Sequence, residues 1–422
     1  VSGPDRGVNI AVVGGGIGGL TLALALHQRG IPCRVYESAP EVRELGVGIT
    51  LLPHAMREMA ALGLAESLTR QGIENRESCF FNRFGQLIYV EPRGQFAGYP
   101  YPEVGLHRGR VHLTLWNAAR ARLGPDLLLP DHQCTGLEQT EQHVTLHLRS
   151  SRTGAPRAPV SADLVIACDG VNSAVRRQFY PGEELRFVGI NTWRGVTRGT
   201  PFLTGRSYVR AGSMQRGNIV IYPIIDDVDG NGNQLINWTT QVAQPGYDRN
   251  DWNKPGRLED FIDIYASWRF DWLDVPELIR RSDVIFEYPM VDRDPVDRWT
   301  FGRVTLLGDA AHPMYPRGSN GAAQAIIDAR VLADRLAEGG DPRAALRAYE
   351  AERSAPTARV VRANRAHPPD YLIERVEELV GDQPFDDLDR YITQAELKQL
   401  SDDYKRVAGF TLENVSGQPG GA

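Results

Sequence analysis

Three groups of residues have the types and spacing to do chemistry. The first is Gly14-x-Gly16-x-x-Gly19, which follows the apolar run Ile10-Ala11-Val12-Val13. This spacing suits a dinucleotide. Gly14 permits a tight turn, Gly16 lets the backbone approach a pyrophosphate, and Gly19 lets a helix pack close to the sheet. Ile17 and Gly18 lie in the turn that opens the helix, whose free N–H groups and positive dipole end favour phosphate. Glu37 closes the next strand about 20 residues on, where a carboxylate can bind ribose hydroxyls. This motif alone leaves NAD and FAD both open. The second and third groups are Cys168-Asp169-Gly170 and Leu307-Gly308-Asp309. Each sets an aspartate at the turn that ends an apolar strand. An NAD-dependent dehydrogenase would explain the first motif but neither of these turns. Asp169 has a plainer alternative, as part of a helix start capped by Asn172 or Ser173.

The elements that must hold these groups follow from periodicity and breakers. Residues 8–13 read as a buried strand, 20–29 as a helix ended by Gly30, and 33–37 as a second strand. Together they make one βαβ unit. Helices are expected over 51–62, 110–123, 258–267, 275–279, 322–337 and 344–366. Strands are expected over 144–148, 164–167 and 304–307, with strands and turns over 78–102. Residues 185–238 hold short alternating segments, which predict an antiparallel sheet. Residues 226–234 slightly resemble a calcium loop, but no glutamate follows at the required position, so a solvated loop is expected.

The 422 residues suffice for two or three domains with sizeable cores. A formal net charge of −6 argues against nucleic acid as a partner. Cys33, Cys79, Cys134 and Cys168 form no CxxC pair, so a disulfide framework or a metal site is not expected, and a reducing cytoplasm fits. Residues 1–8 are polar and glycine-rich, unlike a signal peptide, and no apolar run reaches the roughly 18 residues that span a bilayer. Residues 416–422 read as a disordered tail.

The order of the three motifs resembles the FAD-dependent aromatic hydroxylases, the single-component flavoprotein monooxygenases. That resemblance implies an α/β (α+β) fold with a Rossmann-like FAD-binding domain, an inserted antiparallel-sheet substrate domain and C-terminal helices, as in p-hydroxybenzoate hydroxylase. The corresponding division is 1–75, 100–180 and 285–365 for FAD, 76–99 and 181–284 for substrate, and a helical C-terminal segment over 366–422. In the family, the aspartate matched by Asp309 binds the FAD ribitol, and Gly308 lets the backbone come close. The helix start at Gly321 points at the flavin ring, and the segment with Val47 and Gly48 lies beside it. Arg108 matches an arginine that reaches the pyrophosphate or ribitol, and Asp169 lies near FAD and the reductant. The usual Gly-x-Gly before the helix is here Ser319-Asn320-Gly321.

Asn191-Thr192-Trp193-Arg194-Gly195-Val196, Tyr288-Pro289-Met290-Val291-Asp292-Arg293-Asp294-Pro295 and the stretch 312–326 are similar to the phenazine-pathway branch. A member of that branch hydroxylates 5-methylphenazine-1-carboxylate with loss of the carboxylate, and branch membership does not establish the same substrate. Pro313 departs from its pattern, and 207–220 looks divergent. The implied activity is hydroxylation of a planar aromatic or N-heteroaromatic compound, with NADH or NADPH and O2, through a flavin C4a-hydroperoxide. Such chemistry needs a dry, apolar pocket with a few polar anchors. Candidates for its walls are Trp193, Tyr222, Trp238, Tyr288, Pro313, Met314 and Tyr315. Arg194 could pair with a substrate carboxylate, and Tyr222, Tyr288 or His312 could relay a proton. Epoxidation, Baeyer–Villiger oxidation and a flavin-free binding protein of related fold are the alternatives. A halogenase would carry a Trp-x-Trp-x-x-Ile motif, which this chain lacks. A monomer or homodimer is expected, with 372–380 and 396–406 packing on their own chain or forming a dimer contact or lid.

Overall fold

The computed structural model describes residues 8–44, 46–243 and 255–416. The expectations for residues 1–7 and for the tail 417–422 lie outside them. Ile10–Val13, Ile17–Gln28 and Cys33–Tyr36 form the expected βαβ unit. The two strands run parallel, and the same sheet adds Leu164–Ala167, Val304–Leu306 and Leu128–Leu129 in parallel, with Thr300–Phe301 antiparallel at one edge. Its central strands are apolar at every position and buried on both faces, the mark of a parallel sheet covered by helices. Thus the Gly14, Asp169 and Gly308 turns all leave the same edge of one sheet. Ligands bind at this carboxyl edge of parallel strands.

Seven strands make the second large sheet, in the order Ile285–Asp292, Arg186–Gly199, Gln234–Ala243, Asn218–Ile225, Ser207–Ala211, Glu77–Phe81 and Leu87–Pro92. One pair departs from the antiparallel expectation: Ser207–Ala211 runs parallel to Glu77–Phe81. Ile285–Asp292, assigned from sequence to the return of the FAD part, is instead an edge strand of this sheet. One face carries its own core of Trp193, Ile221, Trp238, Phe261, Tyr265 and Trp268. The other face looks across to the first sheet. Asn237 on this face ties the sheet to Gly48–Leu51, a strand of a separate three-stranded sheet with Val104–His107 and Ile73–Glu74, its Oδ1 accepting from Gly48 N at 2.7 Å.

The helices expected from sequence form at Pro53–Ala61, Arg108–Leu123, Val275–Arg280, Gly321–Ala337 and Pro342–Ala366. Residues 258–267 do not make one: they form two short 3-10 turns, Leu258–Asp260 and Ile262–Tyr265. Phe261, Tyr265 and Trp268 must all reach one sheet face there, and tight turns deliver them. Tyr371–Val380 and Gln394–Ala408 pack on their own chain. The first meets Phe80, Ile88 and Tyr89 of the large sheet, and the second ends under Phe410 and Leu52. Residues 226–234 form a turn closed by their own polar side chains, such as Gly232 N to Asp227 Oδ1 at 2.7 Å. No metal-binding cluster occurs among the described residues, and no helix there is long and apolar enough to cross a membrane.

Candidate active site

The glycine turn is fixed by close approach. Gly14 has φ +102°, and a Cβ there would sit 2.4 Å from the Cys168 carbonyl oxygen. A Cβ on Gly19 would lie 2.0 Å from the Gly14 oxygen. Gly16 differs: a Cβ would meet nothing within 4 Å. It caps the helix Ile17–Gln28 with no side-chain hydrogen bond, so the first N–H groups of that helix face open space. That space is a cavity of about 580 Å³ between Gly14, Glu37, His132, Asp169 and Arg177. A second cavity of about 370 Å³ lies between Gly48, Arg108, Arg194, Tyr222, Asp309 and Ser319. Gly16, Cys168 and Gly170 wall both, so the two form one continuous cleft. Each volume is in the range of small-molecule sites.

Glu37 sits at one end. Its Oε2 accepts from Gly15 N at 2.6 Å, and its Oε1 accepts from Ala39 N at 2.6 Å. The carboxylate thus braces the glycine turn, and its remaining lone pairs face the larger cavity. Asp169 has two roles. Its Oδ2 accepts from Ala174 N at 2.8 Å, while Ser173 Oγ caps the same helix through Arg176 N at 2.8 Å. The helix-start alternative is therefore real. Yet Asp169 Oδ1 is buried with no partner, and the residue lines the larger cavity. Burial pushes its carboxyl above the ordinary value, against the pull of Ser173 and the helix N–H groups. An orphaned buried acceptor beside free helix N–H groups fits a dinucleotide that brings hydroxyls and phosphates.

The Gly308–Asp309 turn is held from behind. Gly308 N donates to Asp328 Oδ2 at 3.2 Å. The same oxygen lies 2.5 Å from His312 Nε2, and Arg353 Nε donates to Asp328 Oδ1 at 2.6 Å. Asp328 is fully buried. Its surroundings penalise the charge, but His312 and Arg353 outweigh them and hold the carboxyl below its ordinary value. Asp309 itself opens to the cavity. Its place inside the cleft, away from bulk water, raises its carboxyl and Asp328 adds to this, while His312 and Arg108 pull it down. Gly321 follows beside it, a Cβ there coming 3.9 Å from Asp309 Oδ1. Arg108 starts its helix with the backbone N donating to Val47 O at 2.9 Å, and its side chain faces the cavity.

The other wall comes from the large sheet. Arg194, Tyr208, Val220, Tyr222, Thr239 and Gln241 face the cavity. Tyr208 and Tyr222 stack at 4.8 Å. Arg194 reaches over the Tyr288 ring at 5.6 Å, and its Nε is buried without an acceptor. Burial lowers its guanidinium from the ordinary value, and neighbouring Arg108 adds to this against Tyr222 and Tyr288. An arginine still keeps its proton in a protein. Burial also raises the Tyr222 phenol, with Tyr208 adding to it. Tyr222 is thus a hydrogen-bond donor, not a ready base.

Several candidates fall elsewhere. Side chains alternate along a strand, so Arg194 facing the cavity forces Trp193 to the opposite face. Trp193 stacks there on Phe261 at 4.8 Å. Thr239 and Gln241 likewise put Trp238 in the same core, its Nε1 donating to Thr197 Oγ1 at 3.1 Å. His312 and Pro313 are buried and do not line the cleft. His312 is engaged by Asp328 and packs on Trp299, so it buttresses the turn from behind. Tyr288 touches the site only through Arg194, and Tyr315 is buried behind the cavity. Met314 does line it. Sequence reading missed Tyr208, Thr239, Gln241 and Asp328. The first three come from neighbouring strands and join Arg194 and Tyr222 only through strand pairing, such as Arg194 opposite Thr239, which the sequence does not show.

The FAD binding domain family matches residues 7–364. The phenazine 1,6-dicarboxylic acid hydroxylase PhzS of Lysobacter antibioticus is 43% identical over 362 residues, covering 85% of this chain and 89% of that protein. The 3-amino-4-hydroxybenzoate 2-monooxygenase PtmB3 of Streptomyces platensis is 33% identical, covering 96% and 97%. The fold is that of the HpxO of Klebsiella pneumoniae solved with FAD and uric acid, with a TM-score of 0.72, 24% identity and coverage of 98% of each chain. A salicylate hydroxylase substrate complex shares it, with a TM-score of 0.74, 19% identity and coverage of 99% and 100%.

Proposed function

Because the chain belongs to the FAD binding domain family, we propose that it is an FAD-dependent monooxygenase hydroxylating a planar, carboxylated aromatic of the phenazine or N-heteroaromatic class. NADH or NADPH and O2 are its co-substrates. The observation that carries the substrate reading is Arg194. Its guanidinium lies in the cavity between tyrosine rings, with a buried Nε and no carboxylate within ion-pair distance among the described residues. A buried charge left unpaired is costly. A substrate carboxylate brings the missing partner, and a bidentate pair adds orientation to affinity. The relative that acts on a phenazine dicarboxylic acid supports the same class.

Gly14, Gly16, Ile17, Gly18 and Gly19 would hold the pyrophosphate, with Glu37 at the ribose. Arg108, Asp169, Gly308, Asp309 and Gly321 would hold the remainder, with Val47 and Gly48 beside it. Bound FAD supplies the activation of oxygen. The protein supplies the seat. Ile49, Val220, Leu307 and Met314 give apolar wall that excludes water. Arg194 and the stacked Tyr208–Tyr222 pair orient the substrate against the Gly308–Asp309 wall. Tyr222, held protonated, donates to a substrate oxygen or ring nitrogen. The four cysteines are unpaired and three are buried, which fits the cytoplasm.

The test is the visible spectrum of the purified protein, then NADH and NADPH oxidation with a panel of phenazine and benzoic acids. The expected result is a flavin spectrum, ligand-stimulated oxidation and a product heavier by one oxygen, or by one oxygen less CO2. A protein that takes up no FAD ends the proposal. A flavoprotein stimulated only by uncharged aromatics removes the carboxylate from it.

A further inference from the structure

The cavity wall made by residues 314–321 has a second side, and the C-terminal helix Gln394–Ala408 occupies it. Tyr404 from that helix is buried. Its hydroxyl accepts from Asn320 Nδ2 at 2.9 Å and donates to Asn364 Oδ1 at 2.7 Å. Asn320 Nδ2 also donates to Gly318 O at 3.0 Å, and Asn364 Nδ2 donates to Tyr315 O at 3.0 Å. One hydroxyl therefore governs both ends of the loop. At its exit, Gln324 Nε2 donates to Ala408 O at 3.3 Å, where the C-terminal helix finishes. The fit is close: a Cβ on Gly318 would lie 1.6 Å from Tyr404 Oη.

The loop needs holding. Ser319 has φ +55°, a left-handed conformation that glycine adopts freely and serine does not. Such a residue persists only where its surroundings over-determine it. Ser319 is also part of the cavity wall, its Oγ 3.4 Å from the Tyr208 hydroxyl. The next residues, Gly321 and Ala322, begin the helix that faces the same cavity. Tyr404 lies beyond residues 7–364, the extent of the family match.

We propose that Tyr404 is a positioning residue and the C-terminal helix a strap: together they hold the 316–321 loop in the shape that seats the flavin. The inference rests on the flavin reading above. Tyr404→Phe keeps the ring and removes only the hydroxyl. FAD affinity, read from quenching of flavin fluorescence, should fall on the order of fivefold, the size of a lost buried hydrogen bond. The melting temperature of the FAD-free protein should fall by only about 2–4 °C, the size of about 1 kcal/mol in a large domain. The second variant is Ser319→Gly, which lets the loop hold its shape unaided. In that background Tyr404→Phe should change FAD affinity less than twofold, because neighbouring sites that share one task are not additive. Equal FAD affinity in wild type and Tyr404→Phe overturns the strap while leaving the flavin. So does a loss of the same size with and without Ser319→Gly, since it would come from general loosening. A wild-type protein that binds no FAD overturns the flavin reading and the strap together.

Discussion

His312 Nε2 and Asp328 Oδ2 are 2.5 Å apart, and that same oxygen accepts the Gly308 N–H. His312, three residues after Asp309, is therefore turned away from the cleft and into the frame behind it. Asp328 balances two partners, His312 and Arg353, in a site closed to water. Asp328→Asn strips that balance and leaves Arg353 buried without its counter-charge. Breaking such a pair costs about 3–5 kcal/mol. A large fall in melting temperature and release of FAD are expected, and a variant that melts with wild type would contradict this account.

Arg194→Gln keeps a polar side chain but shortens it and removes the charge. KM for a carboxylated substrate should rise about 10- to 100-fold, as expected for hydrogen bonds to a charged group. The flavin spectrum should not change. The methyl ester of the same substrate has no carboxylate to lose, so wild type and variant should handle it alike. An equal penalty on acid and ester would show that Arg194 serves the cofactor or the fold.

His54 makes the fold's stability depend on pH below neutrality. It is buried, stacked on Phe410 at 5.3 Å, and neither ring nitrogen has a hydrogen-bond partner. Burial, then Arg57 and Arg353, pushes it down to about 3, while Asn320 acts weakly the other way. In the unfolded chain it titrates near 6.5. The unfolded state thus binds the proton first as pH falls. Stability from the neutral ring is complete above pH 6.5 and is lost on the way down toward 3, by at most about 1.4 kcal/mol per pH unit. His54→Phe should flatten the melting curve against pH in that window. Phe410 docks the end of the strap, so proteolysis after residue 390 should quicken at pH 5 in wild type and not in the variant.

Gly318 and Gly321 make a paired comparison. An added methyl at Gly318 strikes Tyr404, whereas at Gly321 the nearest neighbours are 3.9 and 4.0 Å away. Gly318→Ala should lower the melting temperature of the FAD-free protein more than Gly321→Ala, measured by thermal melts of both. The reverse order would mean that the wall at Gly321 is tighter than its geometry allows.

The nucleotide end of the site was legible in the sequence because its requirements are local. A glycine at Gly14 with positive φ, a helix starting at Ile17 and a carboxylate ending the next strand all show within 30 residues. The substrate wall was not. Alternation along Arg186–Gly199 says that Trp193 and Arg194 face opposite ways, but not which way the cavity lies. Both faces of that sheet are covered, so hydrophobicity does not mark the buried side. Trp193 and Trp238 accordingly drew attention that belonged to Thr239 and Gln241. His312 misled for a related reason: its neighbour Asp309 faces the cleft, and the turn between them reverses direction. The strap was invisible because Tyr404 meets Asn320 across 84 residues.

The parallel pairing of Ser207–Ala211 with Glu77–Phe81 also sets an order of assembly. Its partners are separated by 130 residues, as in the bond from Ser207 Oγ to Glu77 Oε1. Pairings that distant repay their loop entropy late. During synthesis the hairpin of Glu77–Phe81 and Leu87–Pro92 therefore waits with one edge unpaired until Ser207–Ala211 has emerged. That waiting edge is where a nascent chain of this design is open to a wrong partner, and where a chaperone that shields strands would do most for its yield.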